Sequence, residues 1–234
     1  MNKKAFTLSE ILITLGVVGV VAVLTVPGVM RNYQNRLYTA QLEKTYAQIS
    51  DALQAIMNDE NVDNFYETTA GTGTTCYTSG DKKCTTGLGY FLQNYFKTIK
   101  TDCMSATNTT EPCLKNTTGA YKTVGGVNVA VPHGNYFVQT TSGAVIGGFY
   151  NASNNCMSII VDVNGIDEPN VAGRDTFSMD IRANGTIADY NSGCGANAMG
   201  AAASTCTTGS TGSIYDASAG CLSNVIEAGW KMEY

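Results

Sequence analysis

The sequence predicts an α+β protein in which one long N-terminal helix, half transmembrane and half amphipathic, packs against an antiparallel β-sheet with disulfide-stapled loops. Three observations carry that expectation. Ile11–Met30 is an apolar run without a charge, a single helical stripe of apolar residues continues to Ile56, and a later series of short β-rich runs is separated by glycine turns. A chain of 234 residues has room for one compact domain beside a membrane segment. The 44% hydrophobic content is ordinary for a folded protein. Only 14% of residues are charged and the net charge is -5, so binding to a nucleic-acid backbone by charge is disfavoured.

The first element follows from Ile11–Met30. Its twenty residues at 1.5 Å each reach about 30 Å, the thickness of a bilayer's hydrocarbon core. Lys3 and Lys4 precede it, which puts that end in the cytoplasm and exports the rest. The run lacks the small-residue cleavage site of a secretory signal, since it continues as Thr25-Val26-Pro27-Gly28-Val29-Met30-Arg31. Beyond it, Tyr38, Leu42, Tyr46, Ile49, Leu53 and Ile56 step along one helical face, with Gln41, Lys44, Gln48 and Asp51 elsewhere. One helix from about residue 6 to 58 is expected, packing in the membrane first and on a globular head afterwards. Glu10 sits at the edge of the apolar run, where a carboxylate is unfavourable; either it lies at headgroup depth and matters little, or it needs a cation from elsewhere.

The stretch Lys3-Lys4-Ala5-Phe6-Thr7-Leu8-Ser9-Glu10-Ile11-Leu12-Ile13 resembles the prepilin-type cleavage and methylation signal of type IV pilins and type II secretion pseudopilins. The resemblance implies a pilin-like fold, cleavage by a membrane prepilin peptidase between Ala5 and Phe6, and methylation of the Phe6 amino group. Family members usually carry Gly where this chain has Ala5. The same resemblance gives Glu10 an assembly role, pairing with the Phe6 amine of a neighbouring subunit. A free α-amino group is largely protonated at neutral pH, so leaving either charge alone in apolar surroundings is unfavourable and the pair sets axial register. Pro27 matches a proline common in the family's helix and is expected to kink or locally melt it.

The implied division is a leader at 1–5, a transmembrane and filament-core helix at 6–30, an amphipathic continuation at 31–60 and a globular head at 61–234. The implied partners are other pilins or pseudopilins in a filament, the peptidase, an inner-membrane assembly platform and lipid. The location is the inner membrane with an exported head, then a pilus or pseudopilus. The other class of function open to the sequence is a non-polymerising, single-pass anchored surface adhesin or calcium-binding module.

In the head, eight cysteines at 76, 84, 103, 113, 156, 194, 206 and 221 all follow the apolar run. No C-x-x-C pair occurs, so zinc spacing is lacking and disulfides in an oxidising compartment are expected. The preferred pairing is sequential: Cys76–Cys84, Cys103–Cys113, Cys156–Cys194 and Cys206–Cys221. Leu88, Phe91, Leu92, Tyr95, Phe96 and Ile99 fall at helical spacing and predict a short second helix. Strands are expected at 127–131, 136–140, 144–150, 157–163, 176–182 and 186–190, forming a meander. Asn164-Gly165 and Asn184-Gly185 read as hairpin turns. A flexible loop is expected at 191–213, and Trp230 is expected to dock on the sheet.

One constellation carries site chemistry. Asp162-Val163-Asn164-Gly165-Ile166-Asp167-Glu168-Pro169-Asn170 leads to Gly173-Arg174-Asp175. Two readings stand, and the first is the plainer: these residues cap turns through their own backbone, or they supply oxygen ligands to a hard cation such as calcium. The order departs from an EF-hand, while the placement resembles calcium loops of major pseudopilins. The candidate ligands are Asp162, Asn164, Asp167 and Asp175, with Asn170 behind them. No organic cofactor is expected. No serine elbow, phosphate loop or H-E-x-x-H motif occurs, and the single histidine, His133, lies between Pro132 and Gly134 as in a turn, so no enzymatic activity is expected.

Overall fold

A computed structural model describes residues 7–76, 83–103, 112–152, 154–190, 206 and 212–234. The chain divides into two compact units, Met1–Leu37 and Tyr38–Tyr234. Helix α1 runs Leu8–Asp59 and contributes to both. The head unit therefore begins at Tyr38, because the amphipathic half of α1 is part of its core.

In the first unit every described residue through Tyr33 is exposed. The helix opens on Thr7, whose backbone N–H and hydroxyl donate to Glu10 Oε2 at 2.8 and 2.9 Å, while Glu10 N–H donates back to Thr7 Oγ1 at 3.2 Å. This is a capping box, which satisfies amide donors that a helix start leaves unpaired. Pro27 lies inside α1, which continues through it, so the expected local melting is absent. Proline removes a single backbone donor, and the surrounding turns keep their own bonds.

The second unit is built on a mixed sheet of nine strands. Its path is β3 (Thr98–Thr101), β6 (Tyr136–Thr140), β7 (Val145–Asn151), β8 (Cys156–Asp162), β10 (Thr176–Ile181), β9 (Val171–Ala172), β4 (Tyr121–Thr123) and β5 (Asn128–Val129). Strand β11 (Ile187–Asp189) also pairs with β10, and β1 (Thr75–Cys76) with β2 (Cys84–Thr86) forms a separate ribbon. The expected sheet was antiparallel throughout. The difference comes from β9, which pairs parallel with both β10 and β4. Chain that would have been a tight Asn164-Gly165 hairpin makes a longer excursion between β8 and β10 and inserts that short strand.

Both sheet faces are covered. On one face Tyr38, Leu42, Ile49, Leu53 and Ile56 of α1, with Leu88, Phe91 and Leu92 of α2 (Gly87–Tyr95), meet Val138, Met157, Ile159, Val161, Phe177 and Met179. On the other, Phe137, Val145 and Ile160 pack with Ile214, Tyr215 and Ala217 of α3 (Ile214–Ser218). Alternation along the strands sends Ile159 and Ile160 to opposite clusters. Burial on both faces fits the largely apolar run of β8, whereas β10 alternates Phe177, Met179 and Ile181 with Thr176, Ser178 and Asp180 although all six are buried. Helix α4 (Cys221–Glu227) starts on two backbone donors to Asp189, Gly220 N–H at 2.9 Å and Ser223 N–H at 2.7 Å.

Helix α2 is shorter than its apolar stripe, and Ile99 belongs to the edge strand β3. Trp230 packs edge-on against Tyr46 of α1, ring centroids 5.4 Å apart, at the edge of the main core cluster. Disulfides join Cys76–Cys84, Cys103–Cys113 and Cys206–Cys221. Cys156 is also disulfide-bonded, while Cys194 and nearly all of the expected 191–213 loop lie outside the described residues.

Candidate metal centre

Asp162 is the last residue of β8 and Asp175 immediately precedes β10, so the antiparallel register that pairs Asp162 with Thr176 brings the two acids together. Both are fully buried. Asp162 Oδ1 accepts from the backbone of Gly165 at 2.7 Å and Asn164 at 3.3 Å, and its Oδ2 accepts from Thr176 Oγ1 at 3.2 Å. Gly165 makes that turn at φ 66°, a left-handed conformation that favours glycine. Asp175 Oδ1 accepts from Val171 N–H at 2.6 Å.

The remaining oxygens are different. Asp175 Oδ2, Asn170 Oδ1 and Asn164 Oδ1 are buried without a hydrogen-bond donor. Asn164 has turned its Nδ2 away to donate to the Asp167 carbonyl at 2.9 Å. A buried acceptor without a donor loses its hydration and gains nothing, at roughly 1–3 kcal/mol for each group. Three in one loop, one of them on the Asp175 carboxylate and two on amides, are acceptors that a hard cation would satisfy through oxygen alone.

Electrostatics point the same way. Burial, and then the charge of Asp175, push the Asp162 carboxyl well above the usual aspartate range. Burial raises Asp175 as well. The phenol of Tyr121, fully buried beside them, is also raised, first by burial and then by Asp162 and Asp175. Without a counter-ion the pair is driven toward sharing a proton; with one, both ionise.

Asp167, an expected ligand, is exposed, and among the described residues no group of three Asp, Glu, His or Cys converges. The residues that could hold a cation are therefore the two carboxylates and the amides of Asn164 and Asn170. Neighbouring Glu168 is turned to Lys115, 2.7 Å away, and its peptide bond to Pro169 is cis. Sequence reasoning missed Thr176, because a threonine opening a strand carries no ligand signal. It also missed the Thr7–Glu10 cap, although T-x-x-E before an apolar run is legible. Ala5 and Phe6 lie outside the described residues.

No family model, no curated protein and no solved structure matches the chain.

Proposed function

We propose that the chain is a structural subunit of a type IV pilus or type II secretion pseudopilus, cleaved between Ala5 and Phe6 and assembled through its N-terminal helix. The observation that carries this reading is the helix from Leu8 to Met30, apolar and exposed around its whole circumference. The helix is long and apolar enough to cross a membrane. Burying its large apolar side chains is worth on the order of 20 kcal/mol, at about 1.5 kcal/mol or more each, so water is not its resting solvent. Lipid covers it before assembly, and neighbouring copies of the same helix cover it in a filament. Glu10, held at the helix start by Thr7, then meets the Phe6 amine of the next subunit.

In the same reading the loop from Asp162 to Asp175 holds a calcium ion. Export supplies calcium at the level that extracellular loops of modest affinity use. The ion ties the end of β8 to the start of β10 and neutralises the buried acid pair.

The test uses cells that express the full chain. Mass spectrometry is expected to find a methylated Phe6 terminus, and shearing to release filaments containing the protein. Glu10→Gln keeps the shape and the cap's acceptor but removes the charge. Filament yield is expected to fall about tenfold or more, since an unmatched buried amine is strongly unfavourable. Normal assembly of Glu10→Gln would overturn the register mechanism. An intact Met1 without filaments would instead favour the anchored adhesin or calcium-binding module.

A further inference from the structure

Asp175 is carried by the turn Val171–Thr176, which is tied to β4 through the β9 pairing and to Val163, whose N–H donates to the Asp175 carbonyl at 2.9 Å, and which is also held at its tip, Gly173. Inside the turn, Gly173 N–H donates to the Thr176 carbonyl at 2.7 Å, while Arg174 N–H and Asp175 N–H both donate to the Val171 carbonyl at 2.9 and 3.2 Å. Val171 N–H in turn donates to Asp175 Oδ1, so turn and carboxylate orient each other. Gly173 has φ 85°, and a Cβ at this position would stand 2.4 Å from Cys221 Sγ and 3.2 Å from Cys206 Sγ. Its backbone therefore lies directly on the Cys206–Cys221 disulfide. Its carbonyl accepts from the hydroxyl of Tyr234, whose ring packs on the main core. Cys221 is itself anchored, because α4 begins there on the two amide bonds to Asp189.

We infer that Tyr234 and the Cys206–Cys221 disulfide are positioning groups for the cation site, a two-sided clamp on Gly173 that sets Asp175 and Asn170 before an ion arrives. This rests on the calcium reading of the loop. Neither group is a ligand. Each raises affinity by removing freedom that binding would otherwise have to remove. Asn170 shares the effect because it directly precedes Val171 and its carbonyl accepts from Lys122 N–H at 3.0 Å, which ties the front of the turn to β4.

The experiment is a calcium chloride titration of the full chain in detergent micelles by calorimetry, with melting curves in calcium and in chelator. Wild type, Tyr234→Phe and the double variant Cys206→Ala/Cys221→Ala are compared. Tyr234→Phe removes one oxygen and is expected to weaken calcium binding about threefold to tenfold, the range of a single hydrogen bond. The disulfide variant is expected to weaken it further. The decisive readout is the calcium-dependent rise in melting temperature: a clamp shrinks that rise, whereas a merely structural role lowers both curves equally. Wild-type affinity and an undiminished rise in both variants overturn the clamp and leave the cation site standing. Absence of calcium binding by wild type overturns the cation site itself. If the disulfide variant does not fold, Tyr234→Phe alone decides.

Discussion

At the scale of single residues, Asp175 and Asp189 show the difference between a buried carboxylate with an unpartnered oxygen and one whose oxygens are both satisfied. Asp189 is also buried, and burial also raises its carboxyl, but each of its oxygens accepts a backbone N–H. Asp175 Oδ2 has no such partner. The sign of the resulting pH dependence follows directly. An acid raised in the folded state binds protons more tightly there than in the unfolded chain. It therefore contributes stability below the ordinary aspartate range, near 3.9, and loses it as pH rises through the folded value. In chelator, the melting temperature is expected to fall as pH rises from about 4 toward neutrality; in calcium, that fall is expected to vanish. Asp175→Asn should remove the repulsion, raising the chelated protein's melting temperature by about 2–4 °C for each kcal/mol regained, and should abolish the calcium-dependent rise. A lower melting temperature for Asp175→Asn in chelator at neutral pH would contradict this account.

At the scale of elements, α1 has two kinds of apolar face. Before Leu37 its apolar side chains lie all round and are exposed. From Tyr38 they narrow to a stripe, and Leu42, Ile49, Leu53 and Ile56 are fully buried. The hydrophobic effect thus acts on one continuous helix through two different partners. Leu53→Ala should leave a cavity under the sheet and lower stability by about 2–5 kcal/mol, measured by chemical denaturation of the head. Leu24→Ala, on the exposed stretch, should leave head stability unchanged, because Leu24 is exposed and its truncation opens no cavity. Equal effects of the two substitutions would contradict the division of labour. Strands β8 and β10 form the other central element: their mutual register aligns Asp162 with Thr176, and so places the acid pair.

At the scale of the whole molecule, two compact units meet at Leu37 and Tyr38, and the second owns the core clusters, the sheet and the described disulfides. A chain of residues 38–234 is expected to be soluble without detergent, to sediment as a monomer and to unfold in one cooperative transition when its disulfides are intact. It keeps the core and sheds the apolar surface that drives insertion and assembly. Aggregation of that fragment in buffer would show that the first 37 residues are needed to complete the head. The disulfides suit such a head, since its polar loops bury little apolar surface and cross-links restrict their unfolded ensemble.

Features governed by short-range pattern were legible in the amino-acid order alone. The extent of α1, the central strands Tyr136–Thr140, Val145–Asn151, Cys156–Asp162 and Thr176–Ile181, and three sequential disulfides follow from periodicity, turn residues and proximity along the chain. Strands of two or three residues, such as β4 and β9, carry no period to read. Their parallel pairing depends on where the Asn164–Asp175 excursion comes to rest across the sheet. The same excursion set which oxygens are buried: sequence order placed Asp167 ahead of Asn170, and folding exposed the first and buried the second. Burial is a property of neighbours distant in the chain. Only the tertiary structure could leave Asp175 Oδ2 without a donor and seat Gly173 on a disulfide formed more than thirty residues away.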